Sequence, residues 1–150
     1  MKTNRSNIIR ILSTGNDGKT VLIRLIVGLI FISEGIQKYL VVTMLGPAYF
    51  KEIGFGHPMF LAYFTGAFEI VCGFMILFGL LTRLASIPLL IIMITAFITT
   101  KLPILTEKGL LTFLHEYRID FSLTLLLILL VVYGGGKWSV DIKTFLSKNP

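Results

Sequence analysis

Four long apolar runs, residues 21–42, 59–81, 84–100 and 119–133, dominate this sequence. At about 1.5 Å per residue, the first is long enough to cross the roughly 30 Å hydrocarbon core of a bilayer as an α-helix. The second is equally long. The third is near the lower limit for a span, and the fourth is short on its own. The fourth helix is therefore expected over about 116–134, which places Asp120 inside the membrane boundary. None of the runs alternates polar and apolar residues, as the strands of a membrane barrel must. Composition points the same way. The chain has 150 residues, 55% hydrophobic and 15% charged, whereas soluble domains carry about 25% charged residues. A soluble fold of this size cannot hide so much apolar surface. A soluble domain and a disordered chain are both excluded, and the sequence predicts an all-α integral membrane four-helix bundle.

The polar segments set the organisation. Residues 1–20 are basic and do not read as a cleavable signal peptide, because the apolar run that follows is too long and lacks a small-residue cleavage site. Ile8, Ile9, Ile11 and Leu12 suit a short interfacial turn, with Arg5 and Arg10 reaching for headgroups. A membrane domain over 21–141 then has spans at about 21–42, 59–81, 84–100 and 116–134. Loops are expected over 43–58 and 101–117, with a minimal turn at Thr82-Arg83, a helix stop at Gly134-Gly135-Gly136 and a cytoplasmic tail over 142–150. With both termini on one side, nine of the 14 lysines and arginines share it: Lys2, Arg5, Arg10, Lys19, Arg24, Arg83, Lys137, Lys143 and Lys148. The excess predicts that both termini are cytoplasmic. In so apolar a chain the net charge of +6 reads as membrane orientation and not as nucleic-acid binding.

Glu34 and Glu69 are the most informative residues. An ionisable group at the centre of a span costs roughly 2.5–3.5 kcal/mol or more, so it needs a partner, a water-filled cavity or a proton. Glu34 lies past the middle of the first span and Glu69 near the middle of the second. Asp120 enters from the same outer side, so the three are expected to cluster in the outer half of the bundle. Lys38, four residues after Glu34, is its natural partner. Glu69 shares a face with Gly66 and Gly73, a stripe suited to close helix contact, and is expected to face the interior. Glu34, Gln37, Lys38, Glu69 and Asp120 are the candidate ligand-binding residues, with Glu34 and Glu69 as candidate proton-exchanging groups. The competing reading is that these side chains only hold helices together.

Arg24 and Arg83 read as topology anchors, with Arg24 reaching outward from the start of its span. His57 and His115 read as loop residues, Cys72 as packing, and no metal site is expected. No nucleotide-binding loop or hydrolase motif is present. The chain therefore has no self-contained catalytic motif and binds no cofactor through a recognisable one.

Several stretches resemble the DoxX family of small four-helix membrane proteins. They are Arg24-Leu25-Ile26-Val27-Gly28-Leu29-Ile30-Phe31 followed by Gly35-Ile36-Gln37-Lys38; Phe68-Glu69-Ile70-Val71-Cys72-Gly73 followed by Gly79-Leu80-Leu81-Thr82-Arg83-Leu84-Ala85; the apolar run after Pro88; and Gly134-Gly135-Gly136-Lys137-Trp138-Ser139-Val140-Asp141. The family pattern often has His where this chain has Glu34, and Pro where it has Gly135. The resemblance implies a multi-pass protein of the bacterial inner membrane, surrounded by lipid. It also implies a quinone-linked or redox-associated subunit of a membrane oxidoreductase system, at most the membrane subunit of such a complex. Quinone is then the expected cofactor, a soluble or membrane redox subunit the expected partner, and a homo-oligomer a further arrangement. The alternatives are a non-catalytic scaffold or assembly factor and a small-solute permease.

Overall fold

Each apolar run of the sequence becomes a long helix in the computed structural model, which describes residues 18–141. The expectations for residues 1–17 and for the tail lie outside these residues. In chain order the elements are α1 (Lys19–Leu40), a short α2 (Pro47–Glu52), α3 (Pro58–Phe78), α4 (Thr82–Ala96), a π-helical turn (Phe97–Lys101), α5 (Leu102–Lys108) and α6 (Leu110–Tyr133). The described residues include no strand.

Among the described residues, three stretches are long and apolar enough to cross a membrane: Lys19–Leu40, Pro58–Phe78 and the continuous rod Thr82–Lys108. The rod joins α4, the π turn and α5. The helix α6, 24 residues long, overlaps residues 116–134, where the fourth span is expected, but begins six residues earlier and is not one of these three stretches. Glu116, Arg118 and Asp120 crowd its first half, which leaves only residues 121–133 free of charge.

The chain leaves less to loops than the sequence suggested. Residues 101–117, expected as a loop, are helical apart from Gly109, whose φ of 82° breaks the backbone between α5 and α6. Pro103 does not end the third helix because it falls in the first turn of α5, where a missing N–H is tolerated. The π turn just before it re-registers the backbone. Threonine hydroxyls support this irregular stretch. Thr95, Thr99 and Thr100 each donate to the carbonyl four residues back, at 2.8, 2.8 and 2.6 Å. Within the expected loop 43–58, α2 starts at Pro47, a favoured first residue of a helix.

The apolar core is formed by Val27 and Phe31 of α1, Cys72 and Ile76 of α3, Ala85, Leu89 and Met93 of α4, and Leu123, Leu127 and Leu130 of α6. Outside it, Leu22, Leu29, Phe60, Phe78 and Ile91 are largely exposed, as a lipid-facing surface requires. Lipid tails are as apolar as leucine, so burial of such side chains does not by itself draw helices together; close packing must do so.

That packing is tightest between α1 and α3. A Cβ on Gly35 would stand 2.6 Å from the Gly66 carbonyl oxygen, and one on Gly28 would stand 2.9 Å from that of Gly73. The Gly66 and Gly73 stripe thus meets a matching stripe on α1, with the same seven-residue spacing. The two backbones touch where side chains would hold them apart. Adding atoms at such a contact forces backbone shifts that cost about 1–3 kcal/mol. Gly35→Ala is therefore expected to lower the thermal unfolding midpoint in detergent. Gly56→Ala, at a glycine with nothing within 4 Å, is expected to leave it in place. Equal midpoints for the two variants would refute this account of the contact.

Candidate functional site

The glycine crossing decides which charges meet. Gly35 brings α1 against Gly66 of α3, and one helical turn further along α1 Lys38 stands opposite Glu69. The Lys38 Nζ donates to Glu69 Oε2 at 2.6 Å, with the lysine side chain 13% exposed and the glutamate 4%. The sequence suggested Glu34 as the partner of Lys38, and the structure selects Glu69 instead. Magnitudes explain the choice. A pair within one helix is worth about 0.2–0.5 kcal/mol. Leaving a buried charge such as Glu69 without a partner costs about 3–5 kcal/mol.

Glu34 is half-buried and makes no hydrogen bond or ion pair with any described residue. It stands close enough for its charge to act on Glu69. Gln37 donates to Ser33 Oγ at 3.0 Å within its own helix. Beside the pair, Tyr39 donates its hydroxyl to the Tyr63 carbonyl at 2.7 Å, and the two rings stack with centroids 5.1 Å apart. Glu34, Lys38 and Glu69 therefore form one charged site on the α1–α3 interface.

Asp120 does not join them through any ion pair or hydrogen bond among the described residues. Its Oδ2 lies 3.1 Å from Lys101 Nζ, which also donates to the Glu116 carbonyl at 3.2 Å. The expected carboxylate cluster thus resolves into two ion pairs, one joining α1 to α3 and one joining the π turn to α6. Phe97 of the π turn also packs on Phe113 and Tyr117 of α6, with the three ring centroids 5.0–6.3 Å apart.

The opposite end of the bundle holds a second charged site, which sequence reasoning read differently. Arg24 is only 4% exposed and does not reach outward to the headgroups. It points inward and donates from Nη1 to the Gly135 carbonyl at 2.6 Å. Asp141, 5% exposed, accepts from the backbone N–H of Leu81 at 2.6 Å, from that of Thr82 at 3.1 Å and from the Thr82 hydroxyl at 3.2 Å. Its own N–H donates to the Gly79 carbonyl at 3.0 Å. Thr82, Ser86 and Ser139 are fully buried in the same place. Asp141 is thus the N-terminal cap of α4, supplied from the other end of the described chain. A carboxylate there also suits the positive end of the helix dipole.

Two glycines make room for this knot. A Cβ on Gly79, at φ 70°, would stand 2.5 Å from Arg24 Nη1, and one on Gly135 would stand 2.7 Å from the Thr82 hydroxyl. Sequence reasoning took Gly135 as part of a helix stop and gave Asp141 no role. A signal was present, since Leu80-Leu81 offers no side-chain oxygen to cap α4, and an uncapped buried helix start needs a distant acceptor. Arg83, the other expected anchor, donates to the Val132 carbonyl in the last turn of α6 at 2.9 Å, where a cation complements the dipole.

A groove of about 720 Å³ lies at the start of α3, lined by Gly56, His57, Pro58, Met59, Phe60, Tyr63 and Phe64. None of the candidate ligand-binding residues lines it. Among the described residues, no group of three His, Cys, Asp or Glu side chains is arranged to hold a metal ion.

The family model described as DoxX matches residues 20–102. A protein of Mycobacterium tuberculosis (strain ATCC 25618 / H37Rv), "Uncharacterized membrane protein Rv3486", is 44% identical over 138 residues, which cover 88% of this chain and 85% of that protein. "Putative oxidoreductase CatD" of Bacillus subtilis (strain 168) is 32% identical over 130 residues, 86% of this chain and 89% of that one. No solved structure matches the chain. Asp141 lies beyond the residues matched by the family model, yet its hydrogen-bond partners Gly79, Leu81 and Thr82 lie within them.

Removing one partner of a buried pair leaves the other charge exposed to a poor solvent. Lys38→Met is expected to cost about 3–5 kcal/mol of stability, and Lys38→Met with Glu69→Leu to recover more than half of it. A double-mutant cycle from unfolding in detergent measures this, and simple addition of the two single effects would show that the pair does not couple the helices. Asp141→Ala strands the N–H groups of Leu81 and Thr82 and is expected to cost about 3 kcal/mol. Hydrogen exchange at the start of α4 should rise in that variant and stay unchanged at Glu69.

Proposed function

The chain belongs to the DoxX family, and from that premise we propose that it is the membrane subunit of a quinone-linked oxidoreductase system in a bacterial inner membrane. In this reading it spans the bilayer four times with both termini in the cytoplasm, α6 being the fourth span. The name carried by the relative CatD supports the class of reaction. The single observation that carries the site is Glu34. It is a half-buried carboxylate within a span, without an ion pair or hydrogen bond to any described residue, next to the buried Lys38–Glu69 pair. An ionisable group in such a place is a functional candidate by default.

The roles divide by what each residue is free to do. Lys38 and Glu69 neutralise one another and hold the local geometry. Glu34, with no ion pair or hydrogen bond to any described residue, is the proposed proton-exchanging group, and Gln37 is one turn further along the same helix. When bound, a quinone supplies the two-electron, two-proton chemistry. The chain contributes a proton-holding carboxylate and a polar face for the head group, and a partner subunit supplies the electrons.

A second reading is a non-catalytic scaffold, favoured by a specific observation. Glu69 is sealed against α1 on a glycine crossing, as a purely structural carboxylate would be. Glu34→Gln separates the two readings because it removes the proton site without breaking any hydrogen bond or ion pair among the described residues. The protein would be purified in mild detergent and its lipid extract examined by mass spectrometry. Quinone is expected at near-stoichiometric levels with the native chain, and at several-fold lower levels with Glu34→Gln at an unchanged unfolding midpoint. A native chain that brings down a partner subunit and no quinone would overturn the redox reading in favour of the scaffold.

A further inference from the structure

The knot of Arg24 and Asp141 leaves two residues of its own segment facing outward. Lys137 and Trp138 lie between buried Gly136 and fully buried Ser139. Trp138 is 81% exposed and has a φ of 57°. A bulky side chain in left-handed backbone is a genuine outlier and persists only where its surroundings over-determine it. Here the buried residues on either side fix the backbone and turn the indole outward. Lys137 is also exposed and makes no hydrogen bond or ion pair with any described residue.

These two residues form one wall of a groove of about 380 Å³. Gly18, Val21, Leu22 and Leu25, from the start of α1, form the other. Leu22 and Leu25 are 64% and 44% exposed, and Leu29 continues the apolar strip one turn along α1 at 58%. The groove lies at the start of α1 and just past the end of α6, and so at the edge of the membrane-spanning region. It combines a cation with no ion pair among the described residues, an exposed indole and an apolar wall that continues along α1. Indoles favour that level, and juxtamembrane lysines attract anionic headgroups.

We propose that this groove is a binding site for a lipid with an anionic phosphate headgroup. The phosphate lies against Lys137 and the ring of Trp138 packs beside the glycerol region. An acyl chain follows Leu22, Leu25 and Leu29. A free phosphate ion offers the same charge but has no use for the apolar wall, so the lipid is the fitting source. The chain's net charge of +6 is complementary to such a headgroup.

The test uses the fact that Trp138 is the only tryptophan in the chain. The full-length protein is placed in phosphatidylcholine nanodiscs containing graded amounts of phosphatidylglycerol or phosphatidylcholine with brominated acyl chains, and Trp138 fluorescence is followed. Brominated phosphatidylglycerol is expected to quench at a mole fraction about five-fold lower than brominated phosphatidylcholine, the difference set by one lysine near the surface. Lys137→Gln, an exposed change outside the knot, is expected to remove that difference, and millimolar inorganic phosphate to leave it intact. Equal quenching by the two lipids would overturn the proposal, as would a preference that survives Lys137→Gln. Loss of the preference on adding phosphate would assign the site to the free ion instead.

Discussion

A helix bundle in lipid cannot rely on the hydrophobic effect to tell one helix from another. In this chain the discrimination rests on Lys38 meeting Glu69 across a crossing of bare backbones. The two features need each other. Without Gly35 and Gly66 the backbones could not come close enough for the lysine to reach, and without the ion pair the close approach would have only dispersion to hold it. A lone Glu69 at that depth would be among the most costly groups in the molecule. Paired, it sets the register of α1 on α3, and the remaining contacts follow from that register.

The bundle is fastened at both ends, by different chemistry. At one end, charged side chains bond to each other, Lys38 to Glu69 and Lys101 to Asp120. At the other, charged side chains bond to backbone, Arg24 to the Gly135 carbonyl and Asp141 to the N–H groups that open α4. Between them lies an apolar layer centred on Phe31, Ile76, Leu89 and Leu127. Polar groups thus make the connections that need direction, and apolar groups fill the volume between. Glu34 fits neither scheme, since it bonds to no described side chain or backbone group.

Much of the fold was legible because long apolar runs have few solutions in a bilayer. The helices, the interior placement of Glu69 and the small-residue stripe beside it could all be read from spacing. The partner of Lys38 could not, because sequence distance favours Glu34 while burial favours Glu69, and burial is visible only once the crossing is known. Arg24 was misread for a related reason. An arginine near the start of a span ordinarily reaches for water, and nothing nearby in the sequence announces that an acceptor waits at Gly135. The stretch 101–117 was misjudged because its charged residues and Pro103 look like a loop, whereas the π turn and the threonine hydroxyls keep it helical. Local signals gave the elements, and the contacts between distant segments remained hidden.

The dependence of α4 on Asp141 has a consequence for how the protein is made. The chain emerges from the ribosome in order, and its segments enter the membrane as they appear. When Thr82 has been delivered, the carboxylate that completes the start of its helix has not yet been synthesised. The N–H groups that open α4 are therefore left to water until α6 and the residues after it have been made and have folded back. Closure of the knot therefore requires that the chain has been made as far as Asp141. A chain that stops short of Asp141 would keep that turn open and polar, with the N–H groups of Leu81 and Thr82 without their carboxylate.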